Sequence, residues 1–388
     1  MFVFTGETVF SDATLGQKVC FGAGEAARFL REVVAELAAE RVMVIASGSQ
    51  REVARRIAAD VPVAAWHDEV RMHVPKDVAD RARDVASEVA ADAVVSVGGG
   101  SATGLAKAVA LKHKIPVIAV PTTFSGSEAT AMWGETSEGR KVTGVDDAVR
   151  PFAVIYDAKL LAGLPVELAV SSCLNAVAHC VDSMWAPRAN PLNQAIAIEG
   201  LRALTESMPR IVSSRAGLGA DAEAATDAGV PDVGALGQAL YGAYLAGVAF
   251  ASAGSGLHHK LCHVIGGTFD TPHALTHATV LPYVLAFNAP AVPDVAARLA
   301  GALGGDVSAD DPAAEAVDAL LRLYERVDAQ TGLAGQGANG RSSNKQGFDA
   351  AGVDRAVELA WGAIPEGNPR EVTQDSLRGL LLRVAEGA

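Results

Sequence analysis

The sequence predicts an α/β part built on a parallel sheet, followed by an all-α part. Two observations carry this. Short apolar runs alternate with helical patterns over residues 1–160, and beyond Pro165 no run reads as a strand. A third sets the scale: the 388 residues are 50% hydrophobic and 20% charged, a globular composition with length enough for two cores. The expected division is an α/β domain over 1–160 and a helical domain over 161–388.

The elements follow in chain order. Residues 41–46 (RVMVIA), 93–97 (AVVSV), 116–120 (PVIAV) and 152–157 (FAVIYD) are apolar enough to be strands buried on both faces. Helical patterns such as 25–39 and 76–90 lie between them. Leu164-Pro165-Val166-Glu167 marks a helix start. Leu201, Leu204 and Met208 mark one face of a later helix, which Pro209 is expected to disturb. Residues 214–234 and the polar, Gly-rich 332–347 read as loops, most simply surface insertions. There is no internal repeat.

Charge and cysteines narrow the function. A net charge of −13 argues against nucleic acid or an anionic membrane surface as the main partner. Cys20, Cys173, Cys180 and Cys262 form no C-x-x-C pair, which suits reduced thiols in a cytoplasmic protein. The start, MFVFTGETVF, lacks a basic region and a long apolar run, so neither a signal peptide nor a membrane span is expected.

Two loops follow successive strands. Residues 94–107 (VVSVGGGSATGLAK) run a strand through Gly98, Gly99, Gly100 and Ser101 into a helix. Glycines allow close backbone approach, and the amides of a helix start bind phosphate. This is not the usual G-x-G-x-x-G pattern, and alone it is equally a tight turn. Residues 121–128 (PTTFSGSE), with Thr122, Thr123 and Ser127, follow the next strand. Together the loops predict a Rossmann-like dinucleotide site at the carboxyl ends of the strands. No carboxylate follows the strand at 41–46 (Ser47-Gly48-Ser49 does), so NADPH is as admissible as NADH.

Histidines mark the second part. Asn175 and His179 share a helical face in LNAVAHCVD. Farther on, GLHHKLCHVIGGTFDTPHALTHA holds His258, His259, His263, His273 and His277, five of the chain's nine. So dense a cluster in an apolar background points to a metal or proton-transfer site. For His258 and His277 taken singly, an orienting or packed role is the simpler reading. Lys260 lies within the cluster and is either a carboxylate partner or an ordinary solvated lysine.

These motifs, with MWGETSEGRKVTG at 132–144, ANP at 189–191 and NPREVTQDSLRGLL at 368–381, resemble the iron-containing alcohol dehydrogenase superfamily and, within it, the maleylacetate reductases. The resemblance runs over nearly the whole chain. It implies a dehydroquinate synthase-like architecture, a cleft between the two domains, a homodimer, and reduction of maleylacetate, a small dicarboxylate, by NADH or NADPH in aromatic-compound degradation. It places Lys107 and Lys141 on the nucleotide side. In metal-dependent relatives an Asp and three His hold the ion; those positions correspond here to Asn175, His179, His259 and His273. Asn175 and Gly104 (Asp in GGGS-x-x-D) follow the reductase subgroup, so no metal is expected to be required. If one is present, His179, His259 and His273 are its ligands. The implied chemistry adds hydride beside a carboxylate and builds an enolate that His259 and His273 stabilise, with His179 and Asn175 assisting and His263 also in the catalytic cluster. The alternatives are a metal-dependent alcohol dehydrogenase, a redox-neutral enzyme on the same scaffold, and a non-catalytic nucleotide binder.

Overall fold

The computed structural model describes residues 16–137, 140–215, 231–269, 271–331, 348 and 350–387. The chain forms two compact units. One comprises Thr14–Pro165 and Gly217–Gly247; the other comprises Met1–Ala13, Val166–Ala216 and Val248–Ala388. The division falls at Pro165, and residues 233–247 belong with the sheet although they are helical. The stretch 332–347 and most of 214–234 lie outside the described residues; 214–215 end one helix and 233–234 begin another.

The first unit carries strands β1 (Lys18–Phe21), β2 (Val42–Ile45), β3 (Val63–His67), β4 (Ala93–Gly98), β5 (Val117–Pro121), β6 (Met132–Ser137), β7 (Arg140–Val145) and β8 (Ala153–Tyr156). Its helices are α1 (Ala26–Glu36), α2 (Arg51–Ile57), α3 (Lys76–Glu88) and α4 (Gly100–His113). Six strands form one parallel sheet in the order β1-β8-β5-β4-β2-β3. Side chains alternate across it. Val42 and Val44 join Leu30, Val33 and Ile57 on one face; Met43 and Ile45 join Val78, Leu105 and Val109 on the other. Two covered faces explain why the inner strands are apolar throughout.

The expected strands appear as β2, β4, β5 and β8. The sequence reading missed β1 and β3, the two edges, each with only one buried residue. It also missed the antiparallel pair β6–β7, registered Met132↔Val145 and Trp133↔Gly144.

Helix α5 (Val166–Ser183) starts just after Pro165, as expected. Helix α6 (Pro191–Arg215) buries Leu201, Leu204 and Met208, but Pro209 does not end it. Burial of Ile211 beyond the proline offsets the lost backbone hydrogen bond. Helix α7 (Val233–Ala253) is, among the described residues, the one long and apolar enough to cross a membrane, and 56% of its apolar window is buried inside the molecule. That burial suits a core helix.

Then come α8 (Leu257–Phe269), α9 (His273–Asn288), α10 (Pro293–Ala302), α11 (Pro312–Arg326), α12 (Ala350–Trp361) and α13 (Gln374–Glu386). Leu257, Leu261 and Ile265 of α8 pack with Val280 and Val284 of α9, Val353 of α12 and Leu377 and Leu381 of α13. This core holds α8 and α9, and with them the histidines, in fixed register. All four cysteines are free and buried.

Candidate active site

In the sheet unit, β4 runs into the glycine loop and α4. Gly98 has φ +154°, and a Cβ there would come within 2.9 Å of Ala102. A Cβ on Gly99 would lie 3.0 Å from Thr123, and one on Gly100 3.4 Å from Ser125. The two expected loops are therefore in contact, tied further by Thr122 N–H donating to the Gly98 carbonyl at 3.0 Å. Gly99 precedes α4 and no side chain caps that end. Ser101 and Thr123 are half-buried and Thr122 is buried. The arrangement suits an anion at the helix start.

Lys107 departs from expectation. It is completely buried, and Nζ donates to the carbonyls of Ser127 (2.7 Å), Thr130 (2.8 Å) and Met132 (2.8 Å) and to Thr130 Oγ1 (3.0 Å). Its ammonium therefore holds the second loop from behind. Burial pushes its pKa down to about 7, opposed by the charge of Glu128. Glu128, which the sequence reading missed, is also fully buried. It accepts from Tyr156 Oη (2.9 Å) and Ser125 Oγ (3.2 Å), and burial raises its pKa. Ser127 contributes its carbonyl to Lys107. Lys141 is in β7, its side chain outside the described residues.

One strand from the glycine loop, at the carboxyl ends of β2 and β3, Ala46, Arg51, Arg55, Trp66, His67 and Asp68 line a cavity of about 220 Å³. Arg51 and Asp68 form an ion pair there.

The helical unit gathers the histidines. From α5 come Asn175 (3% exposed), His179 (9%) and Asp182 (0%); from α8 come His258 (0%) and His259 (2%); from α9 comes His277 (0%). The rings of His179 and His259 stack at 4.9 Å and 15°, with Phe250 against both. His277 lies 4.6 Å from His259 and 4.3 Å from His273, between centroids. His258 Nε2 and His277 Nδ1 share a hydrogen bond of 3.1 Å. His263 and His273 are exposed, and Lys260 is half-buried. His263 sits 6.5 Å from His259. The expected site residues of this unit thus converge, and His258 and His277, set aside as packing, sit at their centre.

Burial holds these rings neutral. It lowers the pKa of His179 to about 4 and of His258 to about 3, and His259 and His277 are also lowered, each assisted by neighbouring histidines. Among the described residues, His179 Nδ1, His258 Nδ1, His259 Nε2, His277 Nε2 and Asn175 Oδ1 are buried without a hydrogen-bond partner. So many unsatisfied polar atoms in one place mark a site for a polar ligand. Asp182, also missed, accepts from His259 Nδ1 at 2.8 Å. Burial raises its pKa to about 7, opposed by the backbone amides of His259, Gly256 and His258.

Comparison with known proteins gives the family. The family model for iron-containing alcohol dehydrogenase matches residues 16–158, and that for the C-terminal part of the Fe-containing alcohol dehydrogenase family matches 169–385. A maleylacetate reductase of Sphingobium indicum is 41% identical over 378 residues, 96% of each chain. A crystal structure of an iron-containing alcohol dehydrogenase from Corynebacterium glutamicum superposes with TM-score 0.84 at 46% identity, covering 98% of both chains. That of a maleylacetate reductase from Agrobacterium tumefaciens gives TM-score 0.84 at 36% identity, covering 98% of this chain and 99% of the other. With a parallel six-stranded sheet followed by a helical region, and with these relatives, the chain belongs to the iron-containing alcohol dehydrogenase family and is an NAD(P)H-dependent oxidoreductase similar to maleylacetate reductases.

Proposed function

We propose that this protein reduces maleylacetate to 3-oxoadipate, late in aromatic-compound degradation. The reading rests on one observation above others: among the described residues, the buried imidazoles of His179, His258, His259 and His277 and the Asn175 amide have polar atoms without a hydrogen-bond partner. A nicotinamide cofactor, when bound, would supply the hydride that the alkene carbon beside the substrate carboxylate accepts. The bonding pair moves toward the ketone, whose oxygen becomes an enolate. His259 and His273 donate hydrogen bonds to that oxygen, His179 and Asn175 complete its surroundings, and His263 stands at the exposed rim. A histidine then protonates the neighbouring carbon as general acid. Lys260 pairs with one of the two substrate carboxylates.

Gly98, Gly99, Gly100, Ser101, Thr122 and Thr123 bind the cofactor phosphates, with Lys107 and Ser127 shaping the loop and Lys141 on the same side. Serines follow β2 where a carboxylate would repel a 2′-phosphate, and Arg51 and Arg55 line the cavity beside it, so both NADH and NADPH serve.

The family's name raises iron, and Asn175 stands where its metal-dependent members are expected to carry an Asp. Among the described residues, His258, His259 and His277 have donor atoms within 4.8 Å of one another. Within that group His258 Nε2 and His277 Nδ1 already bond each other. Iron commonly takes a carboxylate as well, and Asp182 is turned to His259 Nδ1. Our reading is a reaction that the histidines support without a resident metal. We place the enzyme in the cytoplasm, in keeping with its free thiols, as a homodimer.

The test is oxidation of NADH, and separately NADPH, by fresh maleylacetate with chelator-treated protein of measured metal content. Turnover in metal-free protein supports the proposal. Activity that appears only on adding zinc or iron would reinstate the metal, and no activity in either state would reject this substrate.

A further inference from the structure

One carboxylate oxygen in the helical unit collects three donors. Asp182 Oδ2 accepts from the Gly256 amide at 2.9 Å, the His259 amide at 3.3 Å and His259 Nδ1 at 2.8 Å. Its other oxygen, Oδ1, is buried without a partner and lies against Gly256, where any Cβ would overlap it. The ion pair that Asp182 makes is with His259, not with Lys or Arg.

Two roles compete. The Gly256 amide immediately precedes α8 and the His259 amide lies in its first turn, so the carboxylate caps that helix from α5. A cap alone needs no charge, since Asn or Ser satisfies such amides as well. Burying a carboxylate without a cationic side chain costs several kcal/mol in order of magnitude. The chain carries that cost where the carboxylate meets an imidazole whose opposite nitrogen, Nε2, is buried, unpartnered and among the other histidines.

We propose that Asp182 is a positioning residue for the reduction: it fixes the His259 ring with Nδ1–H directed to the carboxylate, so that Nε2 faces the reacting carbonyl. The inference rests on the reading of the histidine cluster given above. In the resting protein the ring is neutral and Nε2 is its bare nitrogen; once a solvent proton reaches Nε2 as the enolate charge develops, Nε2–H donates to that oxygen and the adjacent carboxylate compensates the charge of the ring. Gly256 is part of the device, because only a residue without Cβ leaves room for the carboxylate.

The experiment is a double-mutant cycle on turnover of NADH with maleylacetate: Asp182→Asn, His259→Ala and the pair. Asn keeps an oxygen for the two amides and the ring but removes the charge. The expected result is a fall in kcat of about 10²- to 10⁴-fold for each single variant. KM for NADH should change by less than about threefold, and the double variant should be no slower than His259→Ala. Full additivity would assign Asp182 to holding α8 and overturn the inference. So would a near-normal kcat for Asp182→Asn beside a slow His259→Ala. If His259→Ala itself turns over normally, the reading of the cluster fails first, and this inference with it. Should Asp182→Asn not fold, ¹⁵N spectra of the histidine rings in the unmodified protein decide: a proton on Nδ1 of His259 is expected, and a bare Nδ1 overturns the proposal.

Discussion

An ammonium group has three N–H bonds, and Lys107 offers them to four oxygens of the chain that follows β5. Lys107→Met would leave the carbonyls of Ser127, Thr130 and Met132 buried without a donor. We expect a loss of at least about 3 kcal/mol in urea unfolding, and a higher KM for NADH in whatever folds. This role was invisible in the sequence, where Lys107 sits at an ordinary helical position. The histidines were legible as a group because their density is abnormal. Their ranking was not, because spacing along a helix tells which side chains share a face and nothing about which face is covered. His258 and His277 proved the most buried; His263 and His273 are exposed. Asp182 had a signal that was passed over, since it lies one turn after His179 in an otherwise apolar helix. Glu128 had none beyond its place in a loop of hydroxyls.

At the scale of elements, α7 bears directly on the second nucleotide loop. A Cβ on Gly247 would lie 2.6 Å from the carbonyl oxygen of Gly126 and 2.9 Å from Ala129, and Gly126 already has φ +72°. Gly247→Ala must push the loop away, at about 1–3 kcal/mol and with weaker NADH binding measured by fluorescence titration. Gly237→Ala, on the same helix, meets nothing nearer than 3.8 Å and should be neutral or stabilising by up to about 1 kcal/mol. Elements were readable where one environment surrounds them. β2, β4 and β5, covered on both faces, announce themselves as apolar runs. β1 and β3 border the sheet, and β6 and β7 form a polar ribbon; none has a continuous apolar signature. Helix α6 continues past Pro209 for a related reason, because tertiary burial outweighs a local helix breaker.

For the whole molecule, the buried ionisable groups set the response to acid. His179, His258, His259 and His277 have lowered pKa values, so below about pH 6.5 the unfolded chain takes protons that the folded chain refuses. Asp182 and Glu128, both raised, act in the opposite sense until their unfolded values near pH 4. With His67 also lowered, the imidazoles outnumber the two carboxyls, so the balance favours unfolding as acid is added. Stability should therefore fall as the pH drops from about 6.5 toward 4, followed by denaturant titrations at each pH, while Lys107, lowered to about 7, makes it rise further above neutrality. His258→Phe should flatten that slope.

The four thiols are distributed so that they can serve as clocks. Cys20 lies in β1 of the sheet unit; Cys173, Cys180 and Cys262 lie in α5 and α8 of the other. Burial raises the pKa of all four, so none presents a ready thiolate to an alkylating reagent or to peroxide. Modification must wait for the surrounding structure to open. The rate at which each cysteine is labelled, resolved by mass spectrometry, therefore times the opening of one half of the enzyme independently of the other, without any engineered probe.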